Sequence, residues 1–487
     1  MNAPTAAVRA IAAAIVLLVT APLALAAPEV WSGELVTPSA KLVITIHLEQ
    51  DGDAWTGTGD VLAQGLSGAP LADIEVSDGH MKFRMTLPGA TVAQQPIFDL
   101  TRDGDTATGT MSQGGATLPI TMKRVSEEEL AAAAAERRPQ TPRPPFPYRT
   151  MDVRVPSPSA DAPTHELAGT LTLPDPDEFG PGPYPCVVTI SGTGPQDRDE
   201  TIFEHKPFLV IADHLARRGV ASLRCDDRGV GASGGDYRAA GCTDFAADAR
   251  AQVEYLLTRD EIDHDRIGLI GHSEGGLTAP MVAAGNEHVA FVVLLAGMSV
   301  RGDEILTSQS AAMFKLQSLP ESFITESNEL RQSMLDAIRE GLDDEVKLDR
   351  MRALVQHDTM GMATPEQVER QARLVLAQFD NKWGRELVTL DARDYLSKMT
   401  QPVLALNGSL DTQVLPELNL GAVREALAKA GNTDVTAIEL PGLNHLFQHA
   451  SNGSMGEYAE IKETFDPEAL KMIGDWVVER FVEPAGG

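Results

Sequence analysis

The sequence predicts a small all-β domain followed by a larger α/β domain, in which helices cover both faces of a mostly parallel sheet. Residues 28–125 hold short runs of alternating apolar and polar residues between turn signals, whereas strand and helix patterns alternate from Tyr148 onward. Alternation with a period of two indicates antiparallel strands. Alternating strands and helices indicate a parallel sheet covered on both faces.

The first segment, residues 1–26, has the pattern of a signal peptide. A short charged start and an apolar run precede Ala24-Leu25-Ala26, which fits the small-x-small pattern at a cleavage site. We therefore expect a mature chain that begins at Ala27 and is periplasmic or secreted, with an uncleaved anchor as the alternative. No later run reaches the ~18 apolar residues that a bilayer span needs, so no stable membrane insertion is expected.

Residues 28–125 are expected to form a sandwich or a small barrel. Two similar stretches, DGDAWTGTG at 51–59 and DGDTATGTM at 103–111, indicate a repeated hairpin. They lack the ligand spacing and the distal Glu of an EF-hand calcium loop. Residues 126–147 are predicted to be a linker, which begins as an Ala/Glu-rich helix and continues as a proline-dense extended segment.

Residues 148–487 carry the α/β pattern. The predicted strands are 185–190, 220–224, 267–270, 289–296, 403–407 and 436–440, and the predicted helices are 207–218, 244–259, 276–285 and 467–481. A helical stretch with few strand signals, at about 298–384, is predicted to be a cap inserted over one edge of the sheet. Methionines concentrate there, and they can line an apolar pocket or serve ordinary helix packing.

Composition excludes several classes of partner. The formal net charge of −30 argues against nucleic acid and against anionic lipid, both of which need a cationic surface. Among the three cysteines, Cys186 is expected to be a small apolar residue of a core strand. Cys225 and Cys242 could pair in an oxidising compartment, but nothing in the sequence fixes their geometry. The sequence indicates no cofactor and no metal site.

The stretch Gly271-His272-Ser273-Glu274-Gly275 lies between a predicted strand and a predicted helix. A G-x-S-x-G sequence on such a turn is typical of a nucleophile elbow, in which the serine hydroxyl is exposed and glycines avoid clashes. Ser273 is therefore the candidate nucleophile. His272, at the variable position, is expected to pack or to form hydrogen bonds rather than to transfer protons.

A serine nucleophile needs a base to take its proton, and the base needs a third group to hold its tautomer. In a sheet of this kind the chain order is serine, acid, histidine, each placed after a successive strand. Asp411 follows the strand at 403–407, and His445 follows the strand at 436–440. We predict the triad Ser273, Asp411 and His445.

Three other residues compete for the roles of base and acid. His449 lies four residues beyond His445 and is the alternative base. Asp391 and Asp394 precede a strand and resemble residues that start a helix. The stretch at 226–229 ends another strand, where we expect a structural Asp–Arg pair that ties loops together, with direct substrate contact as the alternative.

An oxyanion hole needs backbone N–H groups that point at the developing negative charge. One is expected from Glu274, the residue after the nucleophile. The loop at 190–200, ISGTGPQDRDE, should supply the second, and Thr193 is favoured ahead of Gly192. A purely structural glycine turn is the alternative interpretation of this loop.

Several stretches together resemble bacterial α/β-hydrolases of the serine aminopeptidase-like, carboxylesterase group. They are SGTGPQDRDE at 191–200, HKPF at 205–208, DDRGVGASGG at 226–235, GHSEGG at 271–276, NGSLDTQV at 407–414 and PGLNHLFQ at 441–448. The resemblance covers about residues 146–483 and implies an α/β-hydrolase fold, ester hydrolysis and an N-terminal β domain. Ser191 departs from the pattern, since many α/β-hydrolases have His before the glycine of the oxyanion loop.

The predicted function is that of an exported, cofactor-independent serine hydrolase that cleaves small-molecule carboxylic esters through an acyl-enzyme. A serine aminopeptidase or dipeptidyl peptidase is the alternative, and it would need acidic groups for the substrate amine, for which Glu321 or Glu326 are candidates. A hypothesis of another class is an envelope ligand-binding protein with a vestigial hydrolase domain. The sequence leaves acyl specificity and oligomeric state open.

Overall fold

The computed structural model describes residues 29–36, 41–52, 54–61, 66–87, 91–158 and 164–482. The predicted signal peptide and the predicted start of the mature chain at Ala27 lie outside these ranges. Asp53, in the first of the two similar stretches, also lies outside them. The chain separates into two compact units, one with the described residues up to Glu129 and the other with those from Leu130 onward. Across the described ranges we find no helix with the length and apolarity that a bilayer crossing requires.

The first unit is a closed antiparallel barrel, in which each strand pairs with the next and the eighth pairs with the first. The strands are β1 (Glu29–Val36), β2 (Lys41–Asp51), β3 (Ala54–Val61), β4 (Leu66–Ser77), β5 (His80–Met85), β6 (Ile97–Asp103), β7 (Thr106–Gln113) and β8 (Ala116–Val125). A barrel therefore forms rather than a sandwich. The two similar stretches lie at the β2–β3 and β6–β7 hairpins, as the repeat predicted.

Alternation along the strands builds the core of the barrel. In β5, Met81, Phe83 and Met85 are buried, whereas the residues between them are partly exposed. Phe83 stacks on Phe98 of β6, with 4.9 Å between the ring centroids. Trp31 of β1 is fully buried in the same core. The residue pattern that predicted the strands thus also fills the barrel interior.

The second unit contains an eight-stranded sheet. Its strands are β9 (Arg149–Ser157), β10 (His165–Leu173), β11 (Tyr184–Ile190), β12 (Ala221–Cys225), β13 (Ile262–His272), β14 (Phe291–Leu295), β15 (Val403–Gly408) and β16 (Val435–Leu440). They lie in the order β16-β15-β14-β13-β11-β12-β10-β9. Strands β11 to β16 are parallel, and β10 is antiparallel to both its neighbours. The carboxyl ends of the parallel strands therefore meet at one edge of the sheet.

Helices connect these strands and cover the sheet. They are α1 (Glu127–Arg137), α2 (Pro176–Phe179), α3 (Pro207–Ala216), α4 (Cys242–Leu256), α5 (Gly275–Ala283), α6 (Gly302–Leu316), α7 (Glu321–Arg339), α8 (Asp344–Asp358), α9 (Pro365–Phe379), α10 (Lys382–Leu387), α11 (Ala392–Leu396), α12 (Pro416–Lys429) and α13 (Pro467–Phe481), with short 3₁₀ turns at Val92–Gln94 and Met455–Glu457. All six strands and all four helices predicted for this domain are present, with ends shifted by a few residues. The predicted fold class is confirmed.

The predicted cap corresponds to helices between β14 and β15, of which α6 to α9 fall inside the predicted range and α10 crosses its end. The cap has its own apolar core, to which Met334, Leu348 and Met351 contribute. Met360 and Met362 are exposed instead. Helix packing therefore accounts for Met334 and Met351, whereas Met298, at the start of the predicted cap, lines the cavity that contains Ser273.

The three cysteines are free thiols in the described chain. Cys186 is fully buried in β11, as a small apolar residue would be. Cys225 ends β12 and Cys242 begins α4, and no disulfide joins them.

The segment after α1, predicted to be a proline-dense linker, forms side-chain hydrogen bonds with the rest of the second unit. The buried guanidinium of Arg138 donates hydrogen bonds of 2.6 to 3.1 Å to three distant backbone carbonyl oxygens, those of Phe203, Ala459 and Ile461, and one of 2.9 Å to that of Arg137. The side chain of Gln140 bonds to the backbone of residues 464–465. The second compact unit includes this segment, since it extends from Leu130 onward.

We expect Arg138→Ala to lower the free energy of unfolding of the second unit by about 3 kcal/mol, because the loss of this buried charged donor leaves three distant carbonyl groups without a partner. For a unit of this size the melting temperature should fall by about 4 °C in differential scanning calorimetry. Arg143→Ala is the matched control, since it removes the same charge from an exposed position of the same segment. Equal melting temperatures for the two variants would contradict the role given to Arg138.

Candidate active site

Ser273 lies in the sharp turn between β13 and α5. Its backbone φ of +55° falls in the left-handed region, which a residue with a side chain rarely adopts. A Cβ atom on Gly271 would lie 2.2 Å from the carbonyl oxygen of Gly275, and one on Gly275 would lie 2.4 Å from that of Ile190. Both glycines are therefore required for the turn to close, and Ser273 faces the cavity described below.

Asp411 and His445 meet at the carboxyl edge of the sheet, one after β15 and the other after β16. The His445 Nδ1 atom lies 2.8 Å from Oδ2 of Asp411, and both side chains are buried. The other carboxylate oxygen of Asp411 accepts hydrogen bonds from the backbone N–H groups of Gln413 and Val414, at 2.8 and 2.9 Å. Because Asp411 holds Nδ1–H, the Nε2 atom of His445 is left to act as the acceptor of a proton.

The competing candidates lie away from this pair. His449 has an exposed side chain whose Nδ1 atom is 3.0 Å from Oε2 of Glu463. Asp391 accepts a hydrogen bond from the backbone N–H of Arg393 and caps α11, and Asp394 lies in the first turn of that helix, as their sequence context predicted. None of these three candidates lines the cavity that contains Ser273.

The oxyanion loop follows β11. A Cβ atom on Gly192 would lie 3.0 Å from Cβ of Ser273, so only glycine allows this approach without a shift of the neighbour. The backbone N–H of Gly192 already donates to Oε1 of Glu200 at 2.6 Å. In the described chain, the backbone N–H groups of Thr193 and Glu274 donate to no protein acceptor. This difference favours Thr193 over Gly192 as the second donor.

The side chain of Glu274 joins the oxyanion loop to the cap. Its buried carboxylate accepts hydrogen bonds from the Thr193 hydroxyl at 2.7 Å and from the Trp383 indole N–H of α10 at 3.0 Å. The Cys242 thiol is 3.5 Å away. Burial raises the pKa of Glu274, and the hydrogen bonds from these three groups oppose the rise. The sequence motif predicts a role for the backbone N–H of Glu274 but gives no sign of this side-chain contact, whose partners lie 81 and 109 positions away in the chain.

Two residues of the stretch at 226–229 form ion pairs, and each pairs with a residue from another segment. Asp226 binds Arg198 of the oxyanion loop, with 2.8 Å between Oδ2 and Nη2. Arg228 binds Asp248 of α4, with 2.7 Å between Nε and Oδ2. The expected Asp–Arg pairing is therefore present with partners from other segments, and it ties the loop to the sheet.

Ser191 has a local partner that accounts for its place in the loop. Its hydroxyl donates to Oδ1 of Asp227 at 2.9 Å, and the other oxygen of Asp227 accepts from the backbone N–H of Gln196. Burial raises the pKa of Asp227 to about 8. With Ser rather than His at position 191, the loop is still held by a side-chain hydrogen bond.

Glu200 is a buried residue of the cavity wall that sequence reasoning did not single out. Its Oε1 atom lies 2.9 Å from Nδ1 of His272, and the Nε2 atom of His272 lies 3.1 Å from the backbone oxygen of His445. His272 therefore forms hydrogen bonds, as expected. The sequence offered one signal for Glu200, since it is the last residue of the SGTGPQDRDE stretch on which the resemblance rests.

A cavity of about 300 Å³ contains Ser273 and His445. Its other lining residues are Gly192, Thr193, Gln196, Glu200, Ile202, His272, Met298, Ile305, Leu306, Gln309, Trp383, Leu387, Gln413, Val414 and Leu446. Apolar side chains and amides dominate, and no Lys or Arg of the described residues lines the wall. Glu321 and Glu326, the acids suggested for a peptidase, are exposed on α7 and lie outside the cavity.

The sheet order, the strained turn at Ser273 and the Asp411–His445 pair at one sheet edge define an α/β-hydrolase. Residues 205–451, just over half of the chain, match the family described as serine aminopeptidase, S33. The chain belongs to this family. It is an enzyme of the esterase-like hydrolase group.

The chain is also similar to a named esterase and to solved structures. The chain is 25% identical over 319 residues to Esterase EstD of Thermotoga maritima, a match that covers 66% of this chain and 67% of the relative. A solved esterase of Pyrococcus furiosus is 17% identical, with 69% of this chain and 92% of that chain covered and a TM-score of 0.41. A hypothetical protein of Pseudomonas aeruginosa is 18% identical, with 70% and 96% covered and a TM-score of 0.42.

Proposed function

We propose that the chain is an exported serine hydrolase that cleaves small, uncharged carboxylic esters with the triad Ser273, Asp411 and His445. The observation that carries the proposal is the 2.8 Å hydrogen bond between His445 and Asp411 at the cavity that also contains Ser273. A vestigial site would have no reason to keep this bond, the strained elbow and the oxyanion loop together, which argues against a pure binding protein.

The reaction proceeds in two halves through an acyl-enzyme. His445 takes the proton of the Ser273 hydroxyl as the serine oxygen attacks the ester carbonyl, and Asp411 stabilises the resulting imidazolium. The oxyanion accepts hydrogen bonds from the backbone N–H groups of Glu274 and Thr193, each worth about 10²–10³ in rate. The carbon–alkoxide bond then breaks, and His445 returns its proton to the alcohol. Water repeats the sequence on the acyl-enzyme and releases the acid.

The cavity wall supports the choice of substrate. A volume of about 300 Å³ lies at the small end of the range for ligand sites, which favours small esters. The wall offers apolar side chains for an acyl or alcohol group and amide groups for polar contacts. A carboxylate or phosphate on the substrate would find no Lys or Arg partner among the described lining residues, so uncharged esters are favoured over anionic ones.

Ser273→Ala should lower the turnover of p-nitrophenyl acetate by at least about 10³-fold, because the covalent step is lost. The variant should also fail to react with a fluorophosphonate probe while its melting temperature stays unchanged. Ser308→Ala is the control, since Ser308 is a partly exposed cap residue whose hydroxyl donates to a backbone oxygen of its own helix. Probe labelling and turnover that persist in folded Ser273→Ala would rule out this nucleophile.

The charge preference can be measured with two acyl chains of equal length. We expect kcat/KM for p-nitrophenyl butyrate to exceed that for p-nitrophenyl hemisuccinate by about 100-fold, because an unpaired carboxylate must be desolvated in the cavity. Aminoacyl p-nitroanilides in the same series test the peptidase alternative. Equal kcat/KM for the two esters would show that the binding site differs from this cavity.

Export is the part of the proposal that rests on residues 1–26, outside the described ranges. The small-x-small pattern at Ala24-Leu25-Ala26 supports it. N-terminal sequencing of the protein from the periplasm or the medium should therefore begin at or next to Ala27. Recovery of the chain with Met1 in the membrane fraction would favour the uncleaved anchor instead.

A further inference from the structure

Behind the triad lies a second histidine–carboxylate pair, formed by His272 and Glu200. His272 is the residue before Ser273, and its ring centroid lies 4.8 Å from that of His445. One ring nitrogen faces the backbone oxygen of His445 at 3.1 Å, and the other faces Oε1 of Glu200 at 2.9 Å. Both residues of the pair are buried. The pair therefore connects the loop that carries His445 to the oxyanion loop.

The partners of His272 determine how many protons the pair holds. A backbone carbonyl only accepts hydrogen bonds, so the Nε2 atom of His272 must carry a proton. The short contact between Nδ1 and Oε1 needs a second proton, and that proton makes the pair a neutral unit whichever residue holds it. A lone Glu200 carboxylate would instead be a buried charge without a counterion, which is costly.

The surroundings of His272 are consistent with this second proton. Burial lowers the pKa of His272, but the charge and hydrogen bond of Glu200, the hydrogen bond to the His445 carbonyl and the charge of Asp411 outweigh it and raise that pKa. Glu200 also has a backbone φ of +53°, which is unusual for a residue with a side chain. Such a conformation persists only where surrounding contacts hold it, and it is common at functional sites.

We propose that Glu200 and His272 are positioning residues that fix the oxyanion loop and the loop of His445 relative to Ser273. Glu200 holds the loop through the N–H of Gly192, the residue before Thr193. His272 holds the backbone of His445 itself. Because Glu200 and the backbone of His445 both bond to His272, the residue adjacent to the nucleophile, the base and the oxyanion donors keep one geometry. This proposal rests on the proposed function.

Alanine variants of the full chain test the pair. Glu200→Ala and His272→Ala should each lower kcat for p-nitrophenyl acetate by about 10²-fold, the size of a lost oxyanion donor, with KM changed less than about threefold. The double variant should be no slower than either single one, because residues that act as a unit are not additive. Glu463→Ala is the matched control, since it removes a surface carboxylate bonded to His449 and should leave kcat unchanged.

The pH dependence of kcat/KM distinguishes the proposed role from a mere loss of packing, because a loss of packing alone would leave the shape of the pH profile unchanged. The acid limb of kcat/KM reports the pKa of the base in the free enzyme. His272→Ala leaves the buried Glu200 carboxyl without its partner, so this carboxyl should hold a proton at low pH and lose it as the pH rises, which adds a second ionisation to the profile. Glu200→Ala removes the carboxyl and should show no second ionisation.

If the alanine variants do not fold, Glu200→Gln and His272→Gln decide the matter. Glu200→Gln keeps an acceptor for the N–H of Gly192 and should keep kcat within tenfold, whereas His272→Gln loses one of its two bonds and should be slower than Glu200→Gln. Any of three results would overturn the proposal. They are a kcat within threefold of the native value in the alanine variants, multiplicative losses of kcat in the double variant, and equal kcat for the two glutamine variants. Active Ser273→Ala would instead overturn the proposed function.

Discussion

The active site depends on a place where backbone segments approach so closely that no side chain fits between them. Gly271 and Gly275 close the turn at Ser273 against the oxyanion loop, and a Cβ on Gly276 would lie 2.3 Å from Cα of Gly297. The end of β11, the end of β14 and the start of α5 are therefore held at backbone contact distance. Because Ser273 is held in a left-handed conformation at this point, the position of its side chain follows from packing rather than from its own preference.

Most of the site around this turn could be predicted from the sequence, since the information is local. The elbow, Asp411 and His445 each follow a strand with a clear apolar pattern, and parallel strands bring their carboxyl ends to one edge. The fold class follows from the same patterns, because the alternation in residues 28–125 and the strand–helix alternation after Tyr148 are long and regular. Local sequence therefore determines both the elements and the residues that end them.

The contacts that sequence reasoning missed join residues far apart in the chain. Glu200 meets His272 across 72 positions, and Arg138 reaches the backbone of Ile461 across 323 positions. The proline-dense composition after α1 predicted a linker, and it gave no sign of the distant carbonyl groups to which the Arg138 guanidinium bonds. For the methionines of the cap the sequence left pocket lining and helix packing open, and both occur: Met298 lines the cavity, and Met334 and Met351 fill the core of the cap. No local pattern encodes such partners.

The oxyanion loop illustrates how these distant contacts combine. Asp226 and Asp227 bind it from the end of β12, the carboxylate of Glu274 binds Thr193, and Glu200 binds Gly192. Each contact pairs a buried acidic group with donors, so the loop is held by bonds that are costly to break. A loop fixed in this way can present its N–H groups before the substrate binds, which is the condition for effective stabilisation of an oxyanion. Glu274 also accepts a hydrogen bond from Trp383 of the cap. A shift of Trp383 would therefore alter the contact of Glu274 with the oxyanion loop as well as the wall of the substrate cavity.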